Sequence, residues 1–518
     1  MAAVLFISWQ FMGSGRSGEG SVTQTAPPVA PAEEIAVDVT PDTSELVQQP
    51  SDSLEITQEQ TDSSSVESVP EDRTITLIIE EQGDSKVISQ LSSRRGSIIG
   101  WSLSDYQDMP PEGQGRVDFD GTAWSSFPGY FTTEAPDTIR VSDDAEEIVF
   151  RQHDGGGWVK YTFYPSSYIF EVETEGLGDI FVLSGGILPV SENNADPSRY
   201  FSAQWNSEKV KKRDSRDLEI DDQVGNVEWI AARSKYFAVI VFPRSFQRAY
   251  GYTYATAENE SPSVGIQDSS VLIYAGPLDY GVLREIGLDT HLMVDFGWPV
   301  IRDIGRLLFW FCTSVISFAG NWGFKIILLS IALKVVLLPL TQKSFRSMAM
   351  LKKVQPKMKA IQEKYKSDPK ALQAAMQKLY REEGVNPLGG CLPLLLQMPV
   401  FFALYRVLAN SVQLRGAPFM LWIQDLSSPE ILIRFGSPIL GLHGVGLLAV
   451  LMGLAMFLQQ KMTMTDQSQK GMMYIMPIFM TFLFMRFPAG LTLYWFMNNI
   501  LTIVQQRMIQ SKLESETV

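Results

Sequence analysis

The sequence from Asn321 to Leu340, NWGFKIILLSIALKVVLLPL, decides the fold, because it places twenty mostly apolar residues in one run. An α-helix of this length rises about 30 Å, which matches the hydrocarbon core of a bilayer. Of its two lysines, Lys325 lies near the start, whereas Lys334 lies deep inside the run, where a charge costs about 2.5–3.5 kcal/mol at mid-depth. The stretch therefore predicts a membrane span that carries a polar site.

The charges around this span predict its orientation. Residues 342–390 contain eleven Lys/Arg and four Asp/Glu, and basic loops are typical of the cytoplasmic side of a membrane. Residues 1–300 carry a net charge of −28 and the remainder carries +13, which together give the −15 of the whole chain. We therefore expect an acidic exported part followed by a basic membrane part.

Two segments precede the exported domain. Residues 1–12 contain the apolar run AAVLFISWQFM, and we expect an N-terminal membrane anchor, either complete or the remainder of a longer one. A signal peptide is the alternative, but no A-x-A-like cleavage site follows it. Residues 13–72 contain many Ser, Thr, Pro and acidic residues and no lysine, so they predict a disordered acidic linker.

Residues 73–283 predict a large all-β domain. Short runs rich in β-branched and aromatic residues, such as TITLIIE (74–80) and YFAVIVF (236–242), alternate with turn signals such as DGGG. This pattern favours a β-sandwich over a closed barrel. The basic run KVKKR (209–213) fits either a polyanion site or a solvated strand edge, and we favour the strand edge.

The rest of the chain predicts helices. Apolar residues at three- and four-residue intervals within residues 284–319 indicate an amphipathic helix on the outer membrane surface. The following segments are predicted from apolar runs and their connections: core span 2 at 320–341, a cytoplasmic helical hairpin at 342–390, core span 3 at 391–410, an outer loop at 411–438, core span 4 at 439–458, a cytoplasmic loop at 459–470, core span 5 at 471–487, core span 6 at 489–506 and a cytoplasmic tail at 507–518.

Polar residues of three spans are predicted at similar depth in the inner leaflet. Lys334 is six residues from Leu340, and Gln397 is six residues from Cys391, each counted from the cytoplasmic end. On the last span, three polar residues share one face by their spacing, namely Asn498, Asn499 and Thr502. Two interpretations remain open: a hydrated recess around the lysine, or a lysine that extends to the interface while the amides form interhelical hydrogen bonds.

Several classes of protein are disfavoured by what the sequence lacks. No Asp or Glu occurs at 304–362, 384–424, 431–465 or 467–513, which argues against a proton-coupled pump or antiporter. The three histidines are scattered at positions 153, 291 and 443, so no metal site and no cofactor are expected. His443 has no facing serine motif of an intramembrane protease, and we expect no enzyme.

Three motifs, PLTQKSFRSMAMLKKVQPK, VNPLGGCLPLLLQMPVFFALY and WIQDLSSPE, closely resemble those of the YidC-type membrane protein insertases. The resemblance is strongest from Val294 to Gln506. It implies a polytopic α-helical membrane core of five spans plus an N-terminal anchor, with a large exported β-sandwich domain and a cytoplasmic helical hairpin. It also implies a multi-pass protein of the bacterial inner membrane with a periplasmic domain.

The resemblance assigns roles to individual residues. It implies a hydrophilic groove, open to cytoplasm and lipid, in which Lys334 takes the position of a positive residue that is commonly arginine. Gln397 and Asn499 fall on positions facing this groove. A lipid-facing slide for substrates on the third and fifth spans would involve Met398, Phe401, Met476 and Pro477. Arg406 stands where an uncharged residue is usual, and we expect it to point outward.

The function implied is that of an insertase and chaperone, which moves apolar segments of nascent proteins from the groove into the bilayer. The expected partners are nascent membrane proteins, lipid, the ribosome and a secretion translocon, with no specific DNA. The short tail SKLESETV does not support ribosome docking through a basic C-terminus. The alternatives are a channel or transporter, and a membrane-protein assembly chaperone that does not insert substrates.

Overall fold

The computed structural model describes residues 71–107, 116–119, 127, 129–178, 181–183, 200–218, 222–254, 262–385, 392–463 and 470–515. The predicted anchor at 1–12 and nearly all of the predicted linker at 13–72 lie outside these ranges, as does Cys391.

Strands fill the first described half of the chain, from Thr74 to Pro277. They are β1 Thr74–Glu81, β2 Asp84–Ser92, β3 Ser97–Gln107, β4 Arg116–Phe119, β5 Phe131–Thr132, β6 Thr138–Val141, β7 Glu146–Gln152, β8 Trp158–Phe163, β9 Ile169–Glu175, β10 Phe181–Leu183, β11 Ser202–Asn206, β12 Val210–Asp214, β13 Asp222–Val227, β14 Trp229–Arg233, β15 Phe237–Pro243, β16 Ala249–Tyr254, β17 Ser263–Ile266 and β18 Ser270–Pro277. The prediction of a large all-β domain is confirmed.

The strands form three sheets. A nine-stranded sheet has the order β12-β11-β14-β15-β18-β9-β8-β7-β5, a five-stranded sheet has the order β4-β3-β2-β1-β6, and a four-stranded sheet has the order β10-β17-β16-β13. Neighbouring strands are antiparallel except β1 and β6, which are parallel. All of the basic run except Lys209 lies on β12 at the edge of the nine-stranded sheet, which confirms the interpretation as a strand edge.

The five- and nine-stranded sheets pack face to face around aromatic side chains. Buried residues alternate along β1 at Ile75, Leu77 and Ile79, as expected for a strand with one face toward the core. Trp101 of β3 donates its indole N–H to the carbonyl of Ala275 in β18 at 3.1 Å. Its ring lies 4.9 Å from the ring of Phe170 in β9. This cluster joins the two sheets into one core.

Helices form most of the described chain after residue 279. They are α1 Tyr280–Ile286, α2 Pro299–Trp310, α3 Trp322–Val336, α4 Leu338–Lys364, α5 Pro369–Glu382, α6 Leu392–Asn410, α7 Leu447–Thr463, α8 Lys470–Phe484 and α9 Ala489–Ser515. A π-helical turn at Phe311–Val315 extends α2. The connection between α6 and α7 contains a hairpin of two strands, β19 Ile433–Ile439 and β20 Leu442–Val445.

The segment predicted as core span 2, at 320–341, is bent in the structure. The helix breaks at Leu337, and the pair formed by α3 and the first part of α4 is bent by 63°. The physical reason is Pro339, which lies in the first turn of α4. Its ring clashes with the carbonyl four residues earlier, and it has no N–H to continue the ladder of α3. Lys334 consequently lies in the last turn of α3.

Two other helices differ from the predicted limits. The helix α7 begins at Leu447 rather than at 439, because Leu440 and Gly441 adopt positive φ values of 52° and 73° and form the turn of the hairpin. At the other end of the chain, α9 continues to Ser515, well past the predicted end at 506.

A bilayer span must be both long and apolar. In the described ranges, no helix taken alone is both long enough and apolar enough, whereas α3 together with α4 up to Ser347 passes as a bent pair. Shorter apolar helices lie at Leu447–Met462 and Met473–Phe484.

The hairpin of α4 and α5 has the predicted cap. The side chain of Asp368 accepts hydrogen bonds from the backbone N–H groups of Lys370 and Ala371 at 3.0 and 3.1 Å. Pro369 takes the first helical position, where a missing N–H costs nothing. The two helices enclose a small apolar cluster around Val354 and Leu379.

The β domain and the helices share a continuous apolar core. Val407 of α6 and Val412 just after it belong to the same buried cluster as the strands of the sandwich. The Tyr236 hydroxyl donates to the carbonyl of Ala409 at 3.1 Å. Arg406 forms an ion pair with Asp295 at 3.0 Å. These contacts fix the end of α6 against the β domain.

We predict that the aromatic cluster dominates the stability of the sandwich. Phe170→Ala removes a fully buried ring, so it should lower the free energy of unfolding by about 3–5 kcal/mol. The matched control is Phe246→Ala, whose ring is 65 % exposed. Pulse proteolysis of the full chain in urea measures both, and equal unfolding midpoints for the two variants would contradict this assignment of the core.

Candidate functional site

The helices α3, α6, α7, α8 and α9 pack tightly at one end only. Their shared buried cluster includes Ile326, Leu404, Leu448, Phe484 and Leu491, which lie in the parts of these helices predicted to be nearest the outer surface. Toward the other end, apolar side chains such as Val336 and Val504 are exposed. The polar residues identified from the sequence lie toward this second end, where Asn499 and Thr502 are themselves buried.

Lys334 and Thr502 are in direct contact. The Nζ atom of Lys334 donates a hydrogen bond to Oγ1 of Thr502 at 2.6 Å. Thr502 in turn donates to the backbone carbonyl of Asn498, one turn earlier on α9, also at 2.6 Å. Among the described residues, no carboxylate lies within the 4.0 Å of an ion pair with Lys334. The lysine therefore keeps an uncompensated positive charge at the junction of α3 and α9.

Gln397 lies on α6, on another side of the same open region. Its Nε2 atom donates to the hydroxyl of Tyr494 on α9 at 3.1 Å. Gln397 is half-buried, whereas Tyr494 is buried within the helical core. The structure thus connects α6 to α9 and α3 to α9, but it shows no direct hydrogen bond between Gln397 and Lys334.

The two asparagines differ in their environments. Asn498 is half-buried, and Asn499 is only 4 % exposed. Within the described part of the chain, Nδ2 of Asn499 has no hydrogen-bond partner. A buried amide donor of this kind calls for water or another polar ligand, so the region around Asn499 can accept a polar group.

Three polar residues of this region escaped the sequence analysis. They are Tyr494 and Gln505 on α9 and Thr341 on α4. Gln505 donates a hydrogen bond to Oγ1 of Thr341 at 2.8 Å. The signal for Tyr494 was present, because positions 494, 498 and 502 are spaced four apart and share a helix face. The contact of Gln505 with α4 was not predictable, since it depends on the break at Leu337.

The predicted slide residues are divided between the interior and the surface. Phe401 is 6 % exposed and packs edge-on against Trp495 at 5.1 Å, and Pro477 is also buried. These two side chains therefore do not face lipid, contrary to the prediction. Met398 and Met476 are half-buried.

Other residues form the exposed apolar surface next to the site. On α8, Ile478 is 71 % exposed. The full set of large exposed apolar residues on α7, α8 and the end of α9 is Val450, Leu454, Leu458, Tyr474, Ile475, Ile478, Phe479, Val504 and Met508. Pro477 is buried in a part of α8 that packs closely on α7, since a Cβ added at Gly453 would clash with Oγ1 of Thr481, one turn after Pro477.

No metal centre is found in the described ranges, which contain no group of three or more His, Cys, Asp or Glu side chains able to hold an ion. The side chains of Lys334, Gln397 and Thr502 offer hydrogen bonds, and the ammonium group of Lys334 attracts negative charge.

Comparisons with known proteins identify relatives over most of the chain. The family model for the 60Kd inner membrane protein matches residues 314–516. A protein of Wolinella succinogenes described as "Membrane protein insertase YidC" is 36% identical over 387 residues, which cover 74% of this chain and 68% of the relative. A protein of Endomicrobium trichonymphae with the same description is 33% identical over 463 residues, which cover 82% and 83%.

A solved structure is also similar to this chain. The crystal structure of an active YidC insertase with its first transmembrane domain resolved has 18% sequence identity and a TM-score of 0.38. The match covers 84% of this chain and 94% of that one.

We predict that Gln397 and Tyr494 contribute jointly to stability. In a double-mutant cycle of Gln397→Leu and Tyr494→Phe, the coupling free energy should be about 1 kcal/mol, which is typical of one neutral hydrogen bond. Tyr474→Phe serves as the control because Tyr474 is exposed on α8 and should not couple to Gln397. Thermal or proteolytic unfolding in detergent measures the cycle, and additive effects of the two substitutions would contradict the contact.

Proposed function

The chain belongs to the YidC family of membrane protein insertases, and from this premise we propose that it transfers apolar segments of nascent proteins into the bilayer by way of Lys334. The polar flank of a substrate enters the region around Lys334, Gln397 and Asn499, while its apolar segment moves into lipid. No covalent step is involved, and the protein lowers the desolvation barrier for the polar flank.

The observation that carries this proposal is the hydrogen bond between Lys334 and Thr502. A hydroxyl satisfies one donor of the ammonium group without neutralising its charge. A carboxylate would instead pair with the lysine and remove the attraction for acidic substrate flanks. The buried and unpartnered Nδ2 of Asn499 supports a hydrated recess over a lysine that merely reaches the interface.

The helix lengths support a short path across the membrane. With 15 residues, α3 extends only about 22 Å, whereas a bilayer core is about 30 Å thick. We propose that the broken pair of α3 and α4, together with α6, α7, α8 and α9, crosses a locally thinned bilayer. A polar flank held at Lys334 then has less hydrocarbon left to cross.

The exposed apolar surface supplies the path for the apolar part of the substrate. In this role Ile475 and Ile478 on α8 replace the buried Pro477, whereas Met398 and Met476 are half-buried. These side chains are apolar and uncharged. A substrate helix can therefore exchange its contacts with them for contacts with lipid at little cost in free energy.

The placement in the cell follows the charge asymmetry. We propose a multi-pass protein of the bacterial inner membrane, with the β domain in the periplasm and the hairpin of α4 and α5 in the cytoplasm. Exposed lysines of this hairpin, such as Lys353 and Lys359, are suited to contact the incoming chain or the anionic RNA of a ribosome. A secretion translocon is a further proposed partner.

We predict that insertion depends on the positive charge at position 334. In cells depleted of their own insertase, Lys334→Arg should support insertion of a short-tailed substrate, whereas Lys334→Ala should lower it about tenfold and Lys334→Glu further, since a tenfold change corresponds to about 1.4 kcal/mol. Protease accessibility of the substrate's exported end measures the inserted fraction.

The matched control is Lys325, the other lysine of α3. Its Nζ lies over the ring of Trp322 at 4.6 Å, near the predicted outer end of the helix. Lys325→Ala should leave insertion near the wild-type level. If Lys334→Glu inserts the substrate as well as the wild type does, the electrostatic role of Lys334 is wrong.

A further inference from the structure

Two arginines of α2 lack the partners that buried charges normally have. Arg302 and Arg306 are one helical turn apart, and both are half-buried. In each of them the Nε atom is buried and forms no hydrogen bond within the described part of the chain. No ion pair of either guanidinium with a described carboxylate is present. Because both side chains are only half-buried and their terminal N–H groups have no described acceptor either, those terminal groups are open to an acceptor from outside the chain.

Charged groups of both signs lie near these arginines, and the exposed Asp303 of the same helix forms no ion pair with either of them. The Arg306 guanidinium lies 5.8 Å from the centre of the Tyr280 ring, and the His291 ring lies 5.7 Å from the same ring on α1. Burial lowers the pKa of His291, and Arg306 lowers it further, with smaller effects of the same sign from Arg284 and Arg302. Asp289 acts in the opposite direction but does not outweigh them.

An exposed apolar row lies beside the arginines on the same helix. Val300, Leu307 and Trp310 face away from the protein, whereas Ile301, Leu308 and Phe309 are buried. At 100° per residue, Arg302 and Arg306 fall between these two faces. Trp298 at the start of the helix and Phe318 after its end are also exposed. Exposed tryptophans next to arginines are typical of a helix at the membrane–water interface.

We propose that Arg302 and Arg306 bind the phosphate of an anionic phospholipid in the outer leaflet, with its acyl chains against Leu307 and Trp310. Guanidinium N–H groups form strong charge-assisted hydrogen bonds with phosphate oxygens. Two cations without a carboxylate partner favour an anionic lipid, because a zwitterionic headgroup brings its own positive charge. The adjoining apolar row favours a lipid over free phosphate. The inference rests on the proposed position of α2 at the membrane surface and not on the insertion mechanism.

Such a lipid would tie the β domain to the membrane. The ring of Tyr280, at the end of the β domain, lies 6.0 Å from that of Phe309 on α2. A phosphate bound to Arg302 and Arg306 would therefore hold this junction at a fixed height on the outer leaflet. The site lies at the opposite end of the helical core from Lys334, so the two can be tested separately.

The test is native mass spectrometry of the full-length protein in detergent micelles containing phosphatidylglycerol or phosphatidylcholine. The wild type should retain phosphatidylglycerol in preference to phosphatidylcholine. Arg302→Gln combined with Arg306→Gln should weaken phosphatidylglycerol binding about thirtyfold, which corresponds to about 2 kcal/mol. Arg302→Lys with Arg306→Lys keeps both charges and should bind with intermediate affinity, which also covers the case in which the glutamine variant does not fold.

Two controls separate this site from other cations. Lys325→Gln removes a positive charge near the predicted outer end of α3 and should leave lipid retention unchanged. Lys334→Ala should retain phosphatidylglycerol as the wild type does, even if it fails to insert substrates. The proposal is overturned by equal retention of the two lipids, by unchanged retention in the glutamine variant, or by inorganic phosphate displacing the lipid at equal concentration.

Discussion

The arrangement of the helical core depends on one interaction: Lys334 is hydrogen-bonded to the hydroxyl of Thr502 and not to a carboxylate. Lys334 can keep its charge at the end of α3 only if Thr502 and water or ligand solvate it. The break at Leu337 supports this arrangement, because it ends α3 just after the lysine. In the proposed mechanism, the polar face of α9 supplies the other side of a hydrated recess. A well-packed apolar interior at this depth would instead exclude water from the charge.

The end of the helical core next to the β domain is tightly packed. Apolar packing continues from the sandwich into α6 through Val407 and Val412, and the ion pair of Arg406 with Asp295 lies on the same side. The departure from the family pattern at Arg406 thus has a structural partner in this chain. These contacts hold one end of α6 against the β domain. They thereby position Gln397 toward the other end of the helix, where its side chain is half-buried.

Sequence patterns predicted the elements whose signal is local. The alternation along β1, the edge strand with the basic run and the cap at Asp368 all follow from spacing along one or two segments. The sequence did not predict that Pro477 is buried, because this part of α8 packs closely on α7 around Gly453. Such interhelical packing is set by residues far apart in the chain.

The most direct test of the account is a photocrosslinking scan with a stalled nascent membrane protein. Crosslinkers placed at Gln397 and at Ile478 should both capture the nascent chain, because one lies at the polar recess and the other on the exposed apolar surface. Crosslinkers at Leu404, which is buried in the helical core, should capture little. Equal capture from Leu404 and Ile478, or none from Gln397, would contradict a substrate path that runs from the recess around Lys334 into lipid.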